Sequence, residues 1–218
     1  PTENVTFNNG TLNFTATDKA DAASLINPTG DVVFTLNSVP LKAASGSGVY
    51  AEDKVVDSNW VVPEIVIKGS TIEVPGYAVS TNADRQVTQS EEALKITIEN
   101  STLKSTKATG LFVNVLSDVK VSDSTIIGLQ QAVMVRGGTV TITNSTLTLL
   151  KGTPVTVSAD NYATDVTVSG ATTDLAYGDF AGGAFMEGFT NVEDYRIAGI
   201  WGEGNAAPRA VLTIGNVG

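Results

Sequence analysis

The sequence predicts an all-β solenoid of short strands, three to a repeat, and three observations carry that expectation. An eight-residue pattern recurs along the chain at intervals of 21 to 46 residues, a repeat length characteristic of solenoids. Within the pattern apolar residues alternate with a period of two, and no helical period is sustained. At one fixed place the alternation slips on an Asn, Asp or Gly, residue types that accept the positive φ of a sharp bend most cheaply.

In chain order the pattern reads VTFNNGTL from Val5, VVFTLNSV from Val32, IVIKGSTI from Ile65, ITIENSTL from Ile96, VKVSDSTI from Val119, VTITNSTL from Val140 and VTVSGATT from Val166, and it starts again as LTIGN at Leu212. With the first residue as i, positions i, i+2 and i+7 are apolar, i+4 is the bend, and i+6 is Thr or Ser. Asn9, Gly69, Asn100, Asp123, Asn144 and Gly170 occupy the bend. Stacked asparagines at such a place are expected to exchange side-chain amide hydrogen bonds, as in a cross-β ladder. A further short strand precedes most copies: GVYAE at Gly48, YAVST at Tyr77, LFVNV at Leu111, AVMVR at Ala132, PVTVS at Pro154 and AGIWG at Ala198.

Together these segments resemble the right-handed parallel β-helix family, whose best-known members are the pectate-lyase-like proteins. The resemblance implies coils of three parallel strands, about seven to eight of them, with a tight Asn-bearing turn between the second strand and the third. AVMVR would be a first strand, TVTI a second, Thr143-Asn144 the turn and STLTL a third. The likeness runs from about residue 4 to 173 and resumes near Ala198, so the whole chain, 1–218, is expected to be one β-helix domain. DLAYGDFAGGAFMEGFTNVEDYR, from Asp174 to Arg196, departs from the pattern and is expected to form an irregular Gly-rich, aromatic insertion near 174–197. LTIGNVG starts a second strand with no third after it. An open coil end exposes strand edges that demand a cover, which implies that the natural protein continues or that another domain or subunit caps it.

Composition narrows the function. With 23 acidic against 13 basic residues the net charge is −10, which argues against a nucleic-acid partner. Cysteine and histidine are both absent, so disulfide scaffolds, thiolate or imidazole zinc sites and Ser-His or Cys-His nucleophiles are excluded. No apolar run is long enough for a membrane-spanning helix, and PTENVTF lacks the features of a signal peptide.

An enzyme of this architecture would need carboxylates with Arg or Lys, to neutralise a uronate and to move a proton. Asp53, Asp57, Asp84, Arg85, Asp118, Gln130, Gln131, Arg136, Asp160 and Asp165 are the available groups near the first strands. None stands in a local catalytic motif, and solvated strand ends and turns account for them. No D-x-D-x-D-G loop or glycine-aspartate nonapeptide supports calcium; DNYATD (Asp160 to Asp165) is the nearest approach, and no cofactor is expected.

The outward Thr column reads Thr11, Ser38, Thr71, Thr102, Thr125, Thr146 and Thr172. Its neighbour is irregular, Asn13, Pro40, Glu73, Lys104, Ile127, Thr148 and Asp174, which spoils a flat ice-binding array. Five N-x-S/T sequons, at Asn4, Asn9, Asn13, Asn100 and Asn144, are accounted for by turn chemistry and chance.

Aromatic rings are stacking platforms for sugars. Trp60, Tyr50, Tyr77, Tyr162 and Trp201 are the candidate ligand-binding residues, against the plainer reading that Trp60 folds its loop onto the wall and Tyr50 lies in the core. The expected function is a non-catalytic, extracellular or cell-surface bacterial module, adhesin-like or glycan-binding, whose partner is a glycan or a host surface protein. GIWGEGN and AVLTIGN resemble pieces of β-helical repeats in bacterial surface proteins. Alternatives are a lyase or esterase on acidic polysaccharide, or a segment of a phage or autotransporter spike.

Overall fold

The computed structural model describes residues 3–20, 23–56, 58–83, 92–129, 131–149, 153–158, 164–169, 172–174, 200–201 and 210–215. These residues form a parallel β-helix of three sheets. Sheet A holds the second strands of successive coils: β1 (Val5–Asn8), β4 (Val33–Asn37), β8 (Glu64–Lys68), β11 (Leu94–Glu99), β14 (Ser117–Ser122), β17 (Gly138–Thr143), β20 (Thr164–Ser169) and β23 (Ala210–Gly215). Sheet B holds the third strands, β2 (Leu12–Phe14), β5 (Pro40–Ala43), β9 (Thr71–Val74), β12 (Thr102–Ser105), β15 (Thr125–Gly128), β18 (Thr146–Leu149) and β21 (Thr172–Asp174). Sheet C holds the first strands, β3 (Ser24–Ile26), β6 (Ser47–Val56), β10 (Val79–Ala83), β13 (Leu111–Val113), β16 (Gln131–Val135), β19 (Thr153–Ser158) and β22 (Ile200–Trp201). All neighbours within a sheet pair in parallel.

Alternation puts every second side chain inside, where it stacks on its equivalent one rung away. Ile65, Ile96, Val119, Val140 and Val166 make one such column, and Leu41, Ile72, Leu103, Ile126 and Leu147 another. Nearly all of these are fully buried; burying each such side chain contributes about 1.5–3 kcal/mol. In the first described coil, where β1 and β2 each have one described strand neighbour, Val5, Leu12 and Phe14 are part-buried and Phe7 is 40% exposed, its ring tilted against Phe34.

The second coil corrects the pattern by two residues. Val5 pairs with Phe34, and Phe34 with Ile65, so the repeat begins at Phe34 and not at Val32. Ser38 therefore leaves the Thr column and takes the bend, Pro40 enters the Thr column beside Thr71, and Lys42 stands beside Glu73. The cause is local: Val32, Phe34 and Leu36 are all apolar and evenly spaced, so alternation fits both registers.

The bends carry positive φ at Asn9, Ser38, Gly69, Asn100, Asp123 and Asn144, all between 47° and 56°; Gly170 and the stretch 175–199 lie outside the described residues. What ties one bend to the next is not an amide ladder. The bend residues are exposed, and among the described residues no side-chain amide bond joins them. After the bends at Gly69, Asn100, Asp123 and Asn144 comes instead a buried Ser whose hydroxyl accepts the backbone N–H of its counterpart in the preceding coil: Val39 to Ser70 at 3.0 Å, Ser70 to Ser101 at 3.1 Å, Ser101 to Ser124 at 3.1 Å and Ser124 to Ser145 at 3.2 Å. Each hydroxyl donates in turn to the carbonyl two residues back. Such a residue faces inward and its amide has no strand partner, so a short hydroxyl satisfies a group that burial would otherwise penalise.

Candidate functional site

The outer face of sheet C collects two of the four described aromatic candidates, Tyr50 and Tyr77. The corner leading into this sheet is built from the small residues Gly48, Ala78, Gly110 and Ala132, each one residue before the register-aligned Val49, Val79, Leu111 and Val133. A Cβ on Gly48 would lie 2.4 Å from Ala78 O, so the corner stays tight and leaves Tyr77 at the rim of the face.

Tyr50, Ser80, Phe112 and Met134 follow one another up an outward column. Ser80 points outward yet is only 4% exposed, lying between the larger Tyr50 and Phe112. The Tyr77 ring stacks on Phe112 with centroids 5.1 Å apart and planes 22° off parallel. Tyr50 donates its hydroxyl to Glu52 Oε1 at 3.3 Å. Burial raises the Tyr50 phenol above its ordinary range, a hydrogen bond with Asn82 partly offsets this, and the Glu52 carboxylate adds to the rise, so the ring stays neutral.

Beside this apolar column runs a polar one. Glu52 pairs with Asn82 in register, Asn114 Nδ2 donates to Asn82 Oδ1 at 3.3 Å, and Arg136 follows, its N–H donating to Val113 O at 2.7 Å. Lys54 closes on Glu52 at 2.8 Å. The face thus sets rings beside amide, carboxylate and cationic groups, chemistry suited to the apolar faces and hydroxyls of a sugar.

The other candidates are dispersed. Trp60 lies in β7 (Asn59–Val61), which pairs antiparallel with the end of β6, Val55 opposite Trp60; this short arm replaces the loop expected between Asp53 and Glu64. Trp201 lies in β22, opposite Ser158. Five rungs at about 4.8 Å separate β6 from β22, roughly 24 Å, so the two tryptophans do not form one site. Tyr162 lies outside the described residues, as do Asp57, Asp84, Arg85, Gln130 and Asp160.

The acid and base candidates do not converge either. Asp53 faces inward and is fully buried. Asp118 and Asp165 sit on the outer face of sheet A, each opposite Thr139. Gln131 is buried at the corner, where its Oε1 accepts from Thr109 Oγ1 at 2.8 Å. Of the catalytic candidates among the described residues only Arg136 belongs to the outer face of sheet C, and no group of three carboxylates there is placed to hold a metal ion. A separate groove of about 180 Å³, lined by Asn4, Asp31, Pro63, Glu64, Glu92 and Lys95, lies at the strand starts of sheet A.

Sequence reasoning missed Phe112, Met134, Asn82 and Asn114. Register was the missing signal: each stands one to three rungs from Tyr50 or Glu52, yet 30 to 84 residues away along the chain. No protein-family model, curated protein or solved structure matches this chain.

Proposed function

We propose that the chain is a non-catalytic extracellular or cell-surface β-helical module that holds a glycan on the outer face of sheet C. The observation that carries this reading is the stacked Tyr77–Phe112 pair in line with Tyr50 and Met134, flanked along its length by the column Glu52, Asn82, Asn114 and Arg136. Aromatic rings give area at low entropic cost, and a rigid stack of coils keeps them in fixed register. A net charge of −10 disfavours polyanions and favours neutral sugars.

The test is a glycan array with the purified chain, with and without Ca²⁺, followed by an assay for unsaturated uronate products. Retention without product supports the reading. Retention of no glycan removes it, and product formation replaces it with a lyase.

A further inference from the structure

At the first bend, Asn9-Gly10-Thr11, the fastenings used at later bends are absent. In later coils the N–H after the bend donates to a Ser hydroxyl of the next coil, as Ser70 does to Ser101 at 3.1 Å. The residue that would accept from Gly10 is Val39, which has no hydroxyl. In later coils the carbonyl of that same residue accepts an N–H from the next coil, as Ser70 O does from Thr102 at 2.8 Å. The residue that would donate to Gly10 is Pro40, which has no N–H. The bend is held through Asn9 N–H to Asn37 O at 3.0 Å, just after β1, whose one described strand neighbour is β4. Asn8, Asn9, Gly10 and Thr11 are all exposed. An exposed bend with so few fastenings opens at little cost.

This is also the single Asn-Gly step of the sequence. A glycine after asparagine leaves the backbone nitrogen free of side-chain hindrance. We infer that Asn9 is a site of spontaneous backbone-assisted deamidation, set by the absence of a hydroxyl at residue 39. The Gly10 amide gives its proton to solvent base and its nitrogen attacks Asn9 Cγ. The Cγ–Nδ2 bond breaks, ammonia leaves with a proton from solvent, and a succinimide closes. Water then adds to one of its two carbonyls: opening at the Cγ side gives aspartate, and opening at the backbone carbonyl gives isoaspartate. Overall Asn and water become Asp or isoAsp and ammonia.

The other exposed asparagines supply controls within the molecule. Asn37 precedes Ser38, whose N–H donates to Lys68 O at 2.8 Å, and Asn100 precedes Ser101, whose N–H donates to Ser124 Oγ at 3.1 Å. Both steps hold the attacking nitrogen in a hydrogen bond.

The experiment is incubation of the full chain at mildly alkaline pH, with peptide mass spectrometry and chromatographic separation of the isoAsp and Asp products. Asn9 is expected to convert first, ahead of Asn37 and Asn100. Val39→Ser supplies the missing acceptor and is expected to slow conversion about fivefold, the effect of one net hydrogen bond. Gly10→Ala is expected to slow it further without disturbing the bend, because an added Cβ there meets nothing closer than 4.0 Å and Gly10 has no positive φ. Conversion of Asn9 no faster than Asn100, or an unchanged rate in a folded Val39→Ser chain, overturns the inference. If Val39→Ser fails to fold, Gly10→Ala decides: conversion at the original rate overturns it.

Discussion

Ser124 Oγ accepts the backbone N–H of Ser101 at 3.1 Å and donates to Ser122 O at 2.6 Å, so one buried hydroxyl joins two coils and closes its own turn. Ser124→Ala removes the acceptor and leaves the Ser101 N–H buried without a partner. Stability is expected to fall by about 1–3 kcal/mol. Urea denaturation followed by circular dichroism measures it, and a loss below about 0.5 kcal/mol would show that the ladder contributes no more than an exposed hydrogen bond.

The three-strand coil was legible because alternation, bend residues and repeat length pointed the same way. The serine ladder was written in the same letters, as the Ser of ENST, SDST and TNST. It went unread because Ser beside a turn is explained equally well by the turn itself; only register shows that these hydroxyls lie one above another. The second coil misled for the opposite reason: its bend residue, Ser38, is neither Asn nor Gly, although its φ is 55°. The aromatic face was half visible. Tyr50 and Tyr77 stand out in any composition count, whereas Phe112 and Met134 read as core until the strands are stacked.

At the bends, backbone conformation sets a preference that side-chain packing does not override. Asn100 is exposed with φ 47°. Asn100→Gly is expected to leave stability unchanged or slightly raised, since glycine enters this region freely. Asn100→Val is expected to cost about 1–2 kcal/mol, the penalty of a left-handed conformation for a residue with a Cβ and no local polar compensation. Equal melting temperatures for the two variants would contradict a conformational role for this position.

On the outer face of sheet B, Glu73 lies between Lys42 at 3.0 Å and Lys104 at 2.7 Å, joining three consecutive coils. The hydrogen bonds from Lys104 and then Lys42 hold the Glu73 carboxyl below its ordinary range. A folded-state pKa lowered in this way means that the stabilisation is complete above the ordinary carboxylate range and is lost as pH falls through the lowered value. Because the three side chains are part-exposed, Glu73→Gln is expected to cost about 1 kcal/mol or less at neutral pH and to cost less in high salt. The difference between wild type and variant should vanish in acid. A difference that persists unchanged there would mean that the carboxylate charge is not its source.

The glycan reading makes its sharpest demand on Tyr77, whose ring stacks on Phe112 at the rim of the face and is not part of any strand. Removing it takes away a platform without opening the core, so Tyr77→Ala is expected to weaken retention of a bound glycan roughly two- to tenfold, the range of one aromatic contact. Trp60→Ala, on the β7 arm, and Lys104→Ala, on sheet B away from the face, are expected to leave it unchanged. Affinity chromatography or calorimetry on the glycan selected by the array measures all three, with melting temperature as a check on folding. If Tyr77→Ala and Lys104→Ala bind alike while both remain folded, the Tyr77–Phe112 pair does no more than seal the corner, and the binding surface has to be sought on another sheet.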